Sequence, residues 1–322
     1  MSNLTFTEPH NNVAFLEKSN ESVDFTEIID FLNASYIKFA LTVKPTIYTS
    51  NIIQFWSSAK VKTINGEAQI HALVDGQMII ITEASIRRDL LLDDANGVEN
   101  LPNTTIFEKL ALMGYERYTD ALKFQKGNFS PQWKFLIHTV LVCLSPKTTA
   151  WNEFSSNLAS AIICLAENTQ RFNFSKLIFD NMVKNLDGSL AKYFLYPRFL
   201  QLFLDNQFKK KKSHKNVSPT PCLTKKVFAN MRRVGKDFSG RVTPLFPTML
   251  ALAQTQMGEG SAIPAGTHHT PTEQQQQTYK RRTNTKNTEL PQASGSIPTV
   301  VDEAVTRGRV TCWQGLPLQC LA

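Results

Sequence analysis

The sequence predicts a mainly α protein with a small antiparallel β-hairpin, an α+β fold followed by a disordered basic and polar C-terminal tail. Three observations carry this: apolar residues recur at helical spacing along most of the first 208 residues, one stretch alternates with period two around an Asp-Gly turn, and charge shifts sharply after Phe208. A hydrophobic content of 42% over 322 residues is enough to bury a substantial core.

Taken in order, "NNVAFLEK" and "DFTEIIDFLNAS" read as short amphipathic helices. Asn11 or Asn12 and Asp24 are their N-cap candidates, and Phe25, Ile28, Ile29, Phe31 and Leu32 form the second helix's apolar face. "PTIYTSNIIQFWSSAK" places Ile52, Phe55 and Trp56 on one helical face, expected in the core. A hairpin then spans about residues 66–82. Ala68, Ile70, Ala72 and Val74 alternate with polar residues, Asp75-Gly76 supplies a two-residue turn, and "QMIIIT" returns. Thr82 is the expected N-cap of a helix running through Ile86, Leu90 and Leu91. A lone hairpin is marginal in water, so Ile70, Val74, Ile79 and Ile81 are expected to pack on the helical body.

Further helices follow in "NTTIFEKLALMGY", stopped by Gly114, and "SPQWKFLIHTVLVCLS", with Ser130 as N-cap and Pro131 at its first position. "WNEFSSNLASAIICLAEN", "NFSKLIFDNMVKNLDG" and "YPRFLQLFLDNQF" complete the regular part. Three regions result: a globular domain over 1–208, a basic segment over 209–257, and a low-complexity tail over 258–322 whose Thr, Gln, Gly and Pro content disfavours a core. Within the basic segment, "CLTKKVFANMRRVGKDFSG" keeps an amphipathic pattern.

Residues 1–208 hold 18 Lys/Arg against 21 Asp/Glu, a net −3, whereas 209–322 hold 17 against 6, a net +11. That asymmetry points to a polyanion partner, RNA or DNA, contacted through Lys209, Lys210, Lys211, Lys212, Lys215, Lys225, Lys226, Arg232, Arg233, Lys236 and Arg241. Phe228 and Phe238 are the only candidates there for base stacking. The same run fits a nuclear localisation signal on a protein-interaction module.

Enzymatic chemistry finds no foothold. The chain lacks Cys-x-x-Cys pairs, a Gly-x-Ser-x-Gly elbow and both Gly-rich phosphate loops, so no catalytic, cofactor-binding or metal-binding residue is nominated, and a non-enzyme without cofactors is expected. His138 reads as a core histidine. Asp93 and Asp94 read as a solvated turn. Five scattered cysteines and the absence of a secretory signal point to an intracellular protein of nucleus or cytoplasm. The longest apolar runs are too short for a membrane span.

A family resemblance rests on "FLNASYIKFALTVKPTIYTSNIIQFWSSAKVKT", "VDGQMIIITEASIRRDLLLDD", "IFEKLALMGYE", "FSPQWKFLIHTVLVCLSPKTTAWNEFSSNLASAIICLA", "RFNFSKLIFDNMVKNL" and "YPRFLQLFLDNQ". Together these resemble a domain found beside long-terminal-repeat retrotransposon genes in plants, a transposon-derived, gag-like type. Its hallmarks correspond to Phe55-Trp56, Val74 through Thr82, and Ile86 through Leu90. The resemblance implies a non-enzymatic protein that self-associates, forming a homo-oligomer, or binds nucleic acid. The chain carries neither a Tyr-x-Asp-Asp motif nor a zinc knuckle, and its ending, "GRVTCWQGLPLQCLA", departs from the usual continuation as a truncated or frame-altered terminus would. A longin or synaptobrevin type of trafficking adaptor is the alternative, though one hairpin is visible rather than five strands, and heptads and an anchor are missing.

Overall fold

A computed structural model describes residues 11–116, 121–146, 152–187, 194–208, 217–233, 238 and 241–258. The fold is mainly helical with small antiparallel sheets, and every described residue lies within one compact unit. The expected low-complexity tail, from Glu259 onward, lies outside the described residues.

After an extended stretch and a 3-10 turn (Asn20–Phe25) come α1 (Thr26–Ala34), α2 (Lys38–Thr42), β1 (Ile47–Tyr48) and α3 (Thr49–Ser58). A three-stranded sheet follows, β2 (Lys60–Ile64), β3 (Glu67–Val74) and β4 (Gln77–Ile81), leading into α4 (Glu83–Asp89) and α5 (Asn103–Leu112). β5 (Lys123–Gln125), α6 (Pro131–Leu144), β6 (Glu153–Ser155), α7 (Ser156–Glu167), α8 (Phe174–Asp187) and α9 (Pro197–Gln207) come next. The chain then adds β7 (Val217–Ser218), α10 (Lys226–Arg232) and α11 (Pro247–Gly258). β1 pairs with β7 and β5 with β6, both antiparallel.

The expected hairpin is therefore the second half of a larger sheet. Both of its turns, Asn65-Gly66 and Asp75-Gly76, have positive φ at both positions (53° and 84°, 51° and 77°), the geometry that lets a two-residue loop follow strand twist. Register pairs Lys60 with His71, Ile70 with Ile81 and Ala72 with Ile79. One face buries Ile70, Ala72, Val74, Ile79 and Ile81 against the helices, as the alternation predicts, while Ala68 is exposed. At β4's outer edge the Gln207 side chain bonds both backbone groups of Ile80 at 3.0 Å, standing in for a neighbouring strand. Thr82 caps α4 as expected, accepting from the backbone N–H of Ser85 at 3.1 Å, and Gly114 ends α5 with φ +87°.

Three expectations need correction. Asp24 does not cap α1: it lies inside the 3-10 turn, and Phe25 stands at the N-cap of α1. "NNVAFLEK" is not a helix, because its backbone is engaged elsewhere: Asn12 N–H donates to Val142, Val13 N–H to Pro221 and Ala14 N–H to Leu41, with Leu223 N–H donating back to Val13. Asp94 is not in a solvated turn. Its buried carboxylate accepts from the Ser175 backbone N–H (2.8 Å), the Ser175 hydroxyl and Arg87 Nε (2.8 Å), tying α4 to the start of α8, whereas Asp93 is exposed. Asn173 Nδ2 and Arg87 both donate to Glu83; burial opposes them, yet together they hold that carboxyl below its ordinary value.

The core centres on α6 and α7, which are buried over most of their length and are packed around by the other helices. At one end of α6 sits Arg198, fully buried on α9. Its Nε donates to the Asn11 carbonyl (3.0 Å), Nη1 to those of Ala40 (2.7 Å) and Val43 (3.2 Å), and Nη2 to that of Cys143 (3.0 Å). These carbonyls include the open C-terminal ends of α2 and α6, where backbone acceptors lack intrahelical partners and the helix dipole is negative. Burial lowers the Arg198 pKa to about 10, which leaves it charged at neutral pH. Replacing Arg198 with Leu strands these acceptors, so urea denaturation should show a loss on the order of 4 kcal/mol. Arg198→Lys should recover less than half, since one ammonium cannot span the same fork.

Candidate nucleic-acid interface

Of the eleven cations expected to meet phosphate, Lys209, Lys210, Lys211, Lys212, Lys215 and Lys236 lie outside the described residues. The other five flank or belong to α10, apart from Arg241 on the way into α11. They do not stand on a segment separate from the globular part. Val227, Phe228 and Met231 are buried under α10, and Leu245 and Met249 lie in the same core. The expected division at Phe208 thus gives way to one packed unit, because these apolar side chains cover α6 and the 3-10 turn on one side and α1 and α7 on the other.

Phe228 decides the orientation. Its ring, fully buried, lies 5.2 Å from the Phe25 centroid, 5.3 Å from Phe135 and 5.9 Å from Phe15. A ring so enclosed offers no face to a base, which corrects its reading as a stacking residue. Phe238, the other stacking candidate, is half-buried.

With α10's apolar face inward, its cations divide into two groups. Arg232 Nε bonds Asp24 Oδ2 at 2.8 Å, its other arm donates to the Glu21 carbonyl, and its guanidinium lies 5.4 Å from the Phe25 centroid. Lys225 Nζ sits 3.6 Å from Glu21 Oε2. Bonds from Ser19 and the backbone, with Lys225 adding attraction, hold the Glu21 carboxyl below its ordinary value. Lys226, Arg233 and Arg241 are exposed and make no ion pair among the described residues.

Beneath α10 lies a second basic group that the charge pattern did not single out. Lys134 Nζ donates to the carbonyls of Arg233 (2.7 Å), Asn230 and Met231 (both 3.4 Å), capping the C-terminal end of α10 with a cation. Lys126 Nζ lies 3.0 Å from His138 Nδ1. Burial first, then the neighbouring ammoniums of Lys126 and Lys134, lowers the His138 pKa to about 3, so its ring is neutral and accepts from Lys126. That agrees with a structural histidine. Burial and the Lys134 charge bring Lys126 to about 8.

The open cleft between the sheet, α4 and α8, about 380 Å³ and lined by Glu67, Glu83, Arg87, Lys176 and Asp180, is a poorer anion site. Its cations are already paired, Arg87 with Glu83 and Lys176 with Asp180 at 3.0 Å. Among the described residues no group of three or more His, Cys, Asp or Glu is placed to hold a metal ion, and no helix is long and apolar enough to cross a membrane. Cys143 and Cys164 are buried free thiols, and Cys222 is an exposed one.

Fold and site together define a mainly helical α+β protein presenting a half-neutralised cationic helix. No family model, curated protein or solved structure matches the chain.

Two outcomes follow from this geometry. Phe228→Ala should cost about 3–5 kcal/mol of stability by denaturant titration, the figure for emptying an aromatic site in a core, where an exposed stacking ring would cost almost nothing. Lys126 binds its proton less tightly when folded, so the unfolded chain holds more protons between pH 8 and the ordinary lysine value. Relative to Lys126→Met, the unmodified protein should therefore gain stability as pH rises from about 8 to about 10.5, by at most about 3 kcal/mol.

Proposed function

We propose that the chain is a non-enzymatic, gag-like protein of retroelement origin that binds RNA or DNA through phosphate contacts, without sequence preference. The observation that carries the binding reading is the pairing of a net +11 over residues 209–322 with the exposed Lys226, Arg233 and Arg241, which make no ion pair among the described residues, on or beside a helix fixed to the core. A rigid support spares the entropy of ordering those side chains' backbone on binding. Retroelement origin rests on the motif set running from Phe55-Trp56 through Leu90.

Lys225 and Arg232 take a conditional part. Their carboxylate partners on the 3-10 turn are exposed, and such pairs contribute little, so a phosphate can compete for the same cations. A nuclear import signal in Lys209–Lys212 is the second reading, and it predicts no affinity for nucleic acid at physiological salt.

Fluorescence anisotropy of the full-length chain with labelled single-stranded RNA and duplex DNA, over a salt series, tests the proposal. Replacing Lys226, Arg233 and Arg241 by Ser should flatten the slope of log affinity against log salt by about 0.7–0.9 for each phosphate no longer neutralised, with the melting temperature held. Salt-independent or undetectable binding by the unmodified chain would refute it. Cutting the chain at Phe208 is unsuitable for this purpose, since it removes core residues Phe228 and Met249.

A further inference from the structure

The three-stranded sheet has a second face that the helical body does not cover. Register places Lys60, His71 and Ile80 in one row across it and Leu73 beside Met78 in the next. Leu73 is 51% exposed, Met78 56% and Ile80 39%. The residues between them in sequence, Ala72, Val74, Ile79 and Ile81, point the other way and are buried. Three large aliphatic side chains thus form one contiguous outward patch. Single exposed apolar residues are ordinary, but adjacent ones on a flat strand pair usually mark contact with something.

The borders of this patch say what that something is. Lys60 and Lys62 stand exposed along its β2 side, with no ion pair among the described residues. On its β4 side the backbone of Ile80 is bonded to the Gln207 side chain. An apolar strip beside a positive border complements an apolar strip beside a negative one.

We infer that this face is a docking surface for an acidic amphipathic segment of a partner protein, its apolar residues on Leu73, Met78 and Ile80 and its carboxylates toward Lys60 and Lys62. Other occupants match less well. Nucleic acid gains nothing from three aliphatic side chains. Lipid favours apolar groups projecting from a loop over ones lying on a flat sheet. A second copy stacked with each strand over its own counterpart sets Lys60 and Lys62 against the same lysines.

The probe is a fluorescein-labelled helical peptide of about 18 residues with Leu along one face and Glu on both flanks, and a control has Gln in place of every Glu. Full-length protein is titrated into each, alongside sedimentation velocity and pelleting with phosphatidylserine-containing vesicles. The Glu peptide should bind in a salt-sensitive way, the Gln control more weakly. Leu73→Ser with Met78→Ser, and separately Lys60→Glu with Lys62→Glu, should each weaken binding about tenfold or more while the melting temperature stays within about 2 °C, as surface positions allow. Absent binding, or binding that neither pair of substitutions alters, overturns the inference. So does dimerisation abolished by the Leu73 and Met78 changes, or vesicle pelleting without peptide binding. Nucleic-acid affinity should be unmoved by the Leu73 and Met78 pair, which separates this inference from the function proposed above.

Discussion

A buried guanidinium organises this fold. Arg198 reaches four backbone carbonyls from three separate parts of the chain, and among the described residues no carboxylate neutralises it. Burying a charge is costly unless it is fully hydrogen-bonded, and the C-terminal ends of α2 and α6 are where unpaired acceptors and negative dipole coincide. The cost of burial and the need of those helix ends offset each other only if α2, α6 and α9 meet in one arrangement. Phe199 adds its ring 4.3 Å from the charge. Cys143, whose carbonyl Arg198 holds, keeps a neutral thiol because burial pushes it up to about 12.

From that centre the constraint passes outward to the candidate interface. Arg198 fixes Asn11, whose φ of 57° turns the N-terminal stretch along the body. Val13 then pairs with Cys222 through the bonds to Pro221 and from Leu223, while β1 and β7 pair a few residues earlier and Thr49 meets Ser218 at 2.8 Å. The chain therefore enters α10 already held on both sides, and Phe228 closes the contact against Phe25 and Phe135. A basic stretch that would otherwise repel itself into solvent has a core-packed helix in its middle. Lys226 and Arg233 are consequently left exposed on or beside that helix, with Glu21 and Asp24 moderating Lys225 and Arg232.

Much of the helical framework was legible because local and tertiary demands agree. Thr82, Pro131 and Gly114 do at the ends of α4, α6 and α5 what isolated helices need, and the apolar faces of α1 and α3 are the ones buried. β2 was missed because it buries almost nothing: Lys60, Lys62, Thr63 and Ile64 are exposed, so no apolar alternation betrays it, and only Asn65-Gly66 signalled the turn. "NNVAFLEK" has a helix-compatible pattern, but bonds to residues far along the chain outweigh local propensity, and those partners leave no local trace. Arg198 shows the same limit. On its own helix it is one arginine among apolar residues, and its role exists only once two helix ends converge on it. Within the candidate site the charges were readable and their partners were not, since Glu21 and Asp24 lie some two hundred residues from Lys225 and Arg232.

α10 and α11 belong to the same cooperative core as α6 instead of trailing behind it. Native-state amide hydrogen exchange on the full-length chain tests this directly. Amides of Phe228–Met231 and Leu250–Ala253 should exchange only with the global opening that releases those of Leu136–Val140. Exchange of the first two groups at unfolded-chain rates, while α6 stays protected, would contradict it and return the basic segment to the status of an appendage.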